Sequence, residues 1–172
     1  KENMINYINE YTGKKYPKEF MDKIIEKWAG CVPEKIEDSI LVTLEELSKK
    51  YEMVCLTDWF KNQQIKRLEK TNILKYFQEI YAAENTKRKP FKEAFMQAIG
   101  ENKPEECIMI GDSFARDIEG ALKAGLQAIY YNPKEAAEKT SRILYYELET
   151  EDGIRKIEYY TVSKIDEILN IL

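Results

Sequence analysis

The chain has 172 residues, of which 44% are hydrophobic and 34% charged, and this composition is typical of one folded domain of ordinary size. The net charge of −4 argues against a broad basic surface for nucleic acid, and no apolar run approaches the roughly 20 residues that cross a bilayer. Histidine is absent, which excludes Ser-His-Asp triads, HExxH sites and histidine-bound metals, so any catalysis must use carboxylates, lysine, hydroxyls, backbone amides and a hard metal ion.

The first third of the chain is predicted to be helical. A short helix is expected around Met4–Ile8, and a second one begins near Pro17 and ends near Gly30. A third helix should run to about Lys50. The second helix carries one apolar face, formed by Phe20, Met21, Ile24, Ile25 and Trp28.

Short apolar runs alternate with helical segments after residue 50. They predict buried strands at Met53–Leu56, Ile80–Ala82, Cys107–Ile110 and Gln127–Tyr131. Gly125 is a natural cap for the helix that precedes the last of them. This rhythm predicts right-handed βαβ units, and therefore an α/β fold with a Rossmann-like open parallel sheet. Ligands of such sheets bind at the carboxyl ends of the strands.

The tail departs from this rhythm. Two runs with strand character, Ile143–Leu148 and Ile154–Val162, flank a turn at residues 151–153, which predicts a β-hairpin at about 142–162. A closing helix is expected from Ser163.

The three cysteines, Cys31, Cys55 and Cys107, are far apart and form no CxxC pair. A structural zinc site is therefore improbable. We interpret Cys55 and Cys107 as buried small hydrophobic residues in a reducing cytoplasm, and we find no secretory signal peptide.

Polar residues follow the two strongest strands. Thr57 could donate its hydroxyl to a phosphoryl oxygen, or simply end a strand. Lys89, before Pro90, could place an ammonium at an anion site, or be a solvated residue of the basic patch 87–89. Asp112 and Asp117 could flank one Mg²⁺, whereas a helix cap would account for only part of their run.

The run from Ile110 to Gly125, IGDSFARDIEGALKAG, closely resembles the fourth motif of the haloacid dehalogenase (HAD) superfamily. Lys89-Pro90 with Phe95 resembles the third motif, and the strand that ends at Thr57 resembles the second. The order and spacing of the motifs also agree, and the resemblance covers about residues 37–132. It implies a HAD-like core at 35–172 that carries the hairpin, and part of an inserted helical (C1-type) cap at 1–34.

The resemblance implies a role for each site residue in phosphoryl transfer. Thr57, with Asp58 beside it, would bind the phosphoryl group, and Lys89 would neutralise charge on the nucleophile and the phosphoryl oxygens. Asp112 would ligate Mg²⁺. Asp117 would be a second metal ligand, or would orient Lys89 or a metal-bound water. The substrate would be a small phosphorylated metabolite, and neither a nucleic acid nor a membrane is expected as a partner.

The first motif of the family, an Asp-x-Asp stretch whose first aspartate attacks phosphorus, does not occur at the expected place. Asp22 and Asp38 lie in or beside helices, and Asp58 occupies the second-motif position, where the family often has Asn. A sheet without this strand would have a gap in its core. The chain begins at Lys1 within a helix, so we expect a missing N-terminal fragment of the same protein; a natural HAD-like module without a nucleophile is the alternative.

Three rival interpretations differ in function. A non-catalytic binding or regulatory module on a HAD scaffold would still bind Mg²⁺ and phosphate. A phosphoacceptor receiver would place its acidic pair before Thr and Lys, whereas here the pair comes last. A dinucleotide-binding domain would need a GxGxxG motif, and this chain has none. A HAD-type phosphohydrolase is the function that we predict, although a dehalogenase differs from it only within the missing motif.

Overall fold

The computed structural model of the chain describes residues 2–84, 87–134 and 142–172. Two helices open it, α1 (Glu2–Thr12) and α2 (Lys18–Gly30), and both were predicted. They pack on each other through a small apolar cluster of Ile5, Met21 and Ile25. Trp28 was predicted on the inner face of α2, but it is 55% exposed and lies against Trp59, whereas its neighbour Ala29 is buried.

The remaining elements alternate largely as predicted. They are α3 (Asp38–Lys50), β1 (Val54–Thr57), α4 (Lys61–Lys70), β2 (Glu79–Ala82), α5 (Lys92–Ile99), β3 (Ile108–Gly111), α6 (Glu119–Ala124), β4 (Gln127–Tyr131), β5 (Arg142–Thr150) and β6 (Gly153–Val162). Gly125 ends α6 with a φ of 94°, as its predicted capping role requires. The expected closing helix is a 3₁₀ helix at Ile165–Asn170. No helix in the described part of the chain is long and apolar enough to span a membrane.

The parallel strands lie in two separate sheets. β1 pairs with β2 in the first sheet, in parallel. The second sheet has the order β3-β4-β6-β5, in which β3, β4 and β6 are parallel and β5 is antiparallel to β6. The predicted α/β class with parallel strands is confirmed. However, within the described residues β1 and β3 do not belong to the same sheet, so the parallel strands do not form one continuous sheet. The sequence predicted a gap in the core of the sheet without placing it between particular strands.

A cavity of about 700 Å³ separates β1 from β3, and we call it the slot. Its lining is mainly apolar and comes from both strands and from the helices on either side; it includes Leu44, Leu47, Val54, Cys55, Leu56, Phe95, Ile99, Cys107, Ile108, Met109 and Ile110. β1 and β3 are therefore only partly buried along their length. For the same reason Cys55 and Cys107 are half-buried, and not fully buried as predicted; both are free thiols, and burial raises the pKa of Cys55.

Two helical layers join the half-sheets across the slot. On one side, Phe95 of α5 is 1% exposed and lies in a core cluster that contacts both Leu56 of β1 and Met109 of β3. On the other side, α3 packs on the 3₁₀ helix 165–170 through Leu47 and Ile168. The two half-sheets are thus held together by helices, while the space between their strands stays open.

The predicted hairpin is formed by β5 and β6. The two strands pair from Arg142↔Thr161 to Thr150↔Gly153 without interruption. Its base is anchored by aromatic contacts, because Phe114 lies 6.4 Å from Tyr146 and 5.5 Å from Tyr159 between ring centroids. The outer part of the hairpin is exposed.

Candidate active site

The carboxyl end of β1 presents Thr57 and Asp58. The Thr57 hydroxyl oxygen accepts the backbone N–H of Trp59 at 3.1 Å, which fixes the turn after the strand. Among the described residues no acceptor takes the Thr57 hydroxyl hydrogen, so that donor remains available to a ligand oxygen.

Lys89 comes to the same edge from the loop before α5. Its side chain is only 10% exposed, and its ammonium lies 2.6 Å from the Asp117 carboxylate. The same ammonium donates to the backbone carbonyl of Leu56 in β1 at 3.2 Å, and the Lys89 backbone N–H donates to Asp58 at 3.0 Å. Lys89 is therefore a buried, fixed cation, whereas a solvated lysine of a basic patch would be exposed.

Asp117 is held beneath the end of β3 by a single π-helical turn, Phe114–Ile118. Its second carboxylate oxygen accepts the backbone N–H of Ser113 at 2.9 Å. Gly111 makes this arrangement possible, because a Cβ at that position would lie 2.5 Å from the Asp117 side chain. The absence of a side chain at Gly111 therefore leaves the space that Asp117 occupies.

A second glycine of the same run brings two predicted motifs together. At Gly120 in α6, a Cβ would lie 2.8 Å from Pro90 and 2.9 Å from Phe95. The absence of a side chain therefore lets α6 approach the loop that carries Lys89. This close packing of Gly120 against Pro90 and Phe95 positions Lys89 next to Asp117.

A family model described as haloacid dehalogenase-like hydrolase matches residues 1–131. The chain belongs to this family. The match covers the three segments that meet at this edge, those of Thr57, Lys89 and Asp112, whose assignment to the second, third and fourth motifs stays a prediction. The family match does not reach β5, β6 or the 3₁₀ helix.

The chain is similar to several curated proteins. It is 30% identical over 138 residues to the HAD-hydrolase YfnB of Bacillus subtilis, covering 78% of this chain and 54% of that protein. It is 27% identical to the pyrimidine 5'-nucleotidase PynA of Streptococcus pneumoniae, covering 59% of this chain and 45% of PynA. It is 31% identical to the N-acylneuraminate-9-phosphatase of Rattus norvegicus, covering 54% and 39%. The chain thus spans about half the length of these relatives.

Solved structures share the fold. The YfnB structure, described as bound to magnesium, superposes with a TM-score of 0.62 at 26% identity and covers 79% of this chain and 55% of that one. A HAD phosphatase from Thermococcus onnurineus gives a TM-score of 0.67 at 20% identity, covering 96% and 69%. The second similarity concerns the fold alone.

The Mg²⁺ implied by the HAD resemblance fits Asp112 better than Asp117. Asp112 is exposed at the end of β3, and no donor among the described residues holds its carboxylate. Both oxygens of Asp117 already accept from protein donors. No group of three or more potential metal ligands exists among the described residues. At this edge the described residues offer one free carboxylate, that of Asp112, and the other oxygen ligands of a bound Mg²⁺ would be waters, a substrate phosphate or a group outside the chain.

Two contacts at the carboxyl edge of β1 and β3 were not predicted from the sequence. Arg116 lies 3.4 Å from the second carboxylate oxygen of Asp58 and donates to the Ser113 hydroxyl at 3.3 Å. Asp58 therefore joins the three motif segments, and its oxygens are directed at protein donors. An acceptor-only carboxylate in this position suits the positioning of Lys89 better than contact with a phosphate. The contact between Arg116 and Asp58 could not be predicted from a local sequence pattern, because the two residues are 58 positions apart.

Proposed function

We propose that this chain is part of a HAD-type phosphohydrolase that acts on a small phosphomonoester. The reaction would proceed through an aspartyl-phosphate whose nucleophile lies on a segment outside this chain. The observation that carries the proposal is the buried Lys89 ammonium, fixed by Asp117 at the carboxyl edge between β1 and β3. The names of two relatives, a 5'-nucleotidase and a 9-phosphatase, support the substrate class.

The chemistry follows from what each group can do. Lys89 would stabilise the negative charge of the phosphoryl oxygens and of the attacking carboxylate, and its burial makes that charge more effective than it would be in water. Thr57 would donate its hydroxyl to a phosphoryl oxygen. Asp117 would keep Lys89 oriented, with Asp58 holding the Lys89 backbone. Mg²⁺ bound at Asp112 would supply further positive charge for the phosphoryl group.

The slot supports an external segment as the source of the nucleophile. The unpaired edges of β1 and β3 face an apolar cavity, and one strand between them would pair with both edges and cover the exposed core. If that strand ran parallel to β1 and β3, it would end beside Thr57 and Gly111. An aspartate at its end would then meet Lys89. The missing N-terminal fragment of the same protein is the partner that we propose.

A nucleophile-free binding or regulatory module is the second candidate. It is favoured by one observation, namely that Asp58, the carboxylate nearest Thr57 in sequence, is occupied by Lys89 and Arg116. Such a module would bind Mg²⁺ and phosphate without turnover. The cytoplasmic location stays a prediction from the sequence.

Complementation tests the proposal. The chain is co-expressed with the part of the Bacillus subtilis relative that the match leaves uncovered, and hydrolysis of p-nitrophenyl phosphate is measured with and without Mg²⁺. We expect Mg²⁺-dependent turnover by the complex and none by the chain alone. Lys89→Met and Asp112→Asn should each abolish turnover while the two pieces still copurify. A complex that forms and binds orthophosphate, but hydrolyses nothing, would establish the binding module instead.

A further inference from the structure

The turn after β1 is packed into the core of α1 and α2, which we call the helical pair. Trp59 comes only two residues after Thr57, yet its ring packs on the apolar cluster of the helical pair, as does that of Phe60. Trp28, near the end of α2, adds to this contact, because its ring lies 5.3 Å from that of Trp59 between centroids. The helical pair and one segment of the candidate active site therefore share a packed contact.

The backbone of Trp59 controls the Thr57 hydroxyl. Its N–H donates to the hydroxyl oxygen at 3.1 Å, and a hydroxyl that accepts in this way has its hydrogen directed elsewhere. That hydrogen is the donor that the proposed phosphoryl group would use. The Trp59 ring lies between two aromatic neighbours, Trp28 and Phe60, and this packing leaves the turn fewer alternative conformations.

The end of α2 is itself held by α4. The last carbonyls of a helix have no partner within it and carry its negative end. The Arg67 guanidinium donates to the carbonyl of Trp28 at 2.8 Å and to that of Cys31 at 3.2 Å. The Lys70 ammonium donates to the carbonyl of Gly30 at 2.9 Å. Trp28 therefore contacts Trp59 from a helix end that α4 holds in place.

We propose that Trp59 is a positioning residue for the phosphoryl group and that Trp28 holds it, so that docking of the helical pair sets the affinity for phosphate. This inference rests on the proposed function, because it needs a phosphate bound at Thr57 and Lys89. The apparent affinity of a ligand falls with the fraction of molecules in the competent conformation. Loss of the Trp28 ring lowers that fraction without removing any group that would touch the phosphate.

An NMR titration of the chain with orthophosphate tests the coupling. The chain has two tryptophans, Trp28 and Trp59, so both of its indole N–H signals report on this contact. The backbone N–H of Lys89, which donates to Asp58, reports on the phosphate site itself. Coupling between two sites is reciprocal, so we expect the indole signals to shift with the same dissociation constant as the Lys89 signal.

Substitution of Trp28 measures the strength of the coupling. Trp28→Ala should raise the dissociation constant for orthophosphate about threefold to tenfold, as the loss of one aromatic pair predicts. Trp28→Phe keeps an aromatic ring and should restore most of the affinity. The matched control is Tyr11→Ala, which removes an 82% exposed ring from another aromatic pair of the helical pair, that of Tyr7 and Tyr11. It should leave the dissociation constant unchanged.

Two results would overturn the coupling and leave the proposed function standing. The first is binding at Lys89 with the same dissociation constant in the wild type and in Trp28→Ala. The second is an equal loss of affinity in Trp28→Ala and Tyr11→Ala, which would assign the effect to the stability of the helical pair.

A Lys89 signal that shifts at no phosphate concentration would overturn the phosphate site, and the coupling with it. Circular dichroism establishes that each variant is folded. If Trp28→Ala is not folded, Arg67→Gln replaces it, because this change releases the carbonyl of Trp28 at the end of α2 and should weaken phosphate binding in the same direction.

Discussion

The molecule has two unpaired strand edges of opposite character, the slot between β1 and β3 and the outer side of β5. The slot is enclosed by α3 and α5, and its walls are continuous with the hydrophobic core. The β5 edge projects into solvent; β5 pairs with β6, and its Tyr146 contacts Phe114 and Glu119. An edge enclosed by helices favours a strand that completes the core, whereas an open edge favours a surface partner.

The largest difference between the two edges should appear in stability. Phe95→Ala removes a fully buried ring from the wall of the slot and should lower the free energy of unfolding by about 3–5 kcal/mol. Tyr145→Ala on the open edge should change it by less than about 0.5 kcal/mol. Urea denaturation at a concentration where the chain is monomeric measures both. Similar losses in the two variants would show that the two edges do not differ in this way.

Loss of the ion pair between Lys89 and Asp117, at the end of the slot, should give the next largest change in the free energy of unfolding. Asp117→Asn leaves the buried Lys89 ammonium without its partner charge and should cost about 3 kcal/mol. The double variant Lys89→Met with Asp117→Asn should recover much of that loss, because no buried charge then remains. A double variant that is no more stable than Asp117→Asn would argue that hydrogen bonding, and not charge, stabilises this corner.

The close contact of Gly120 in α6 with the loop that carries Lys89 should also contribute to stability on the slot side of the molecule. Gly120→Ala should cost about 1–3 kcal/mol, since its Cβ would overlap with Pro90 and Phe95. Gly30→Ala is the matched control, because a Cβ there meets no atom within 4 Å and alanine favours a helix. Thermal melting of both variants should show a lowered midpoint for Gly120→Ala alone.

The smallest expected effect concerns the anchor of the hairpin. Hydrogen bonds from Lys123 and then from Tyr146 lower the pKa of Glu119. A carboxyl whose pKa is lowered by folding contributes stability above its unfolded pKa and loses it as the pH falls through the folded value. Glu119→Gln should therefore cost about 0.3 kcal/mol at neutral pH and nothing in strong acid. A stability difference that is the same at both pH values would contradict this assignment.

The sequence predicted what depends on local pattern. Apolar runs and turn residues located the strands, the hairpin and the cap at Gly125. The missing motif predicted a gap in the core of the sheet, but not which strands would flank it. The burial of Lys89 could not be predicted, because it depends on contacts with Leu56 and Asp58 at the end of β1 and with Asp117 after β3. These residues and Lys89 come from three segments that are separate in the sequence. The π-helical turn that places Asp117 beneath Gly111 has no recognisable sequence pattern, and the exposure of Trp28 depends on how α2 rotates in its packing.

Lys89 has a consequence for how binding and stability are related. Its ammonium contacts the carbonyl of Leu56 in β1 and the carboxylate of Asp117 beside β3, so a single side chain connects the two sides of the slot. A phosphate bound to that ammonium would add a connection between the same two halves. Ligand affinity and resistance to unfolding are then thermodynamically linked, so that occupancy alone would raise the melting temperature. A substitution of Lys89 should therefore alter the stability of the fold together with the affinity for phosphate.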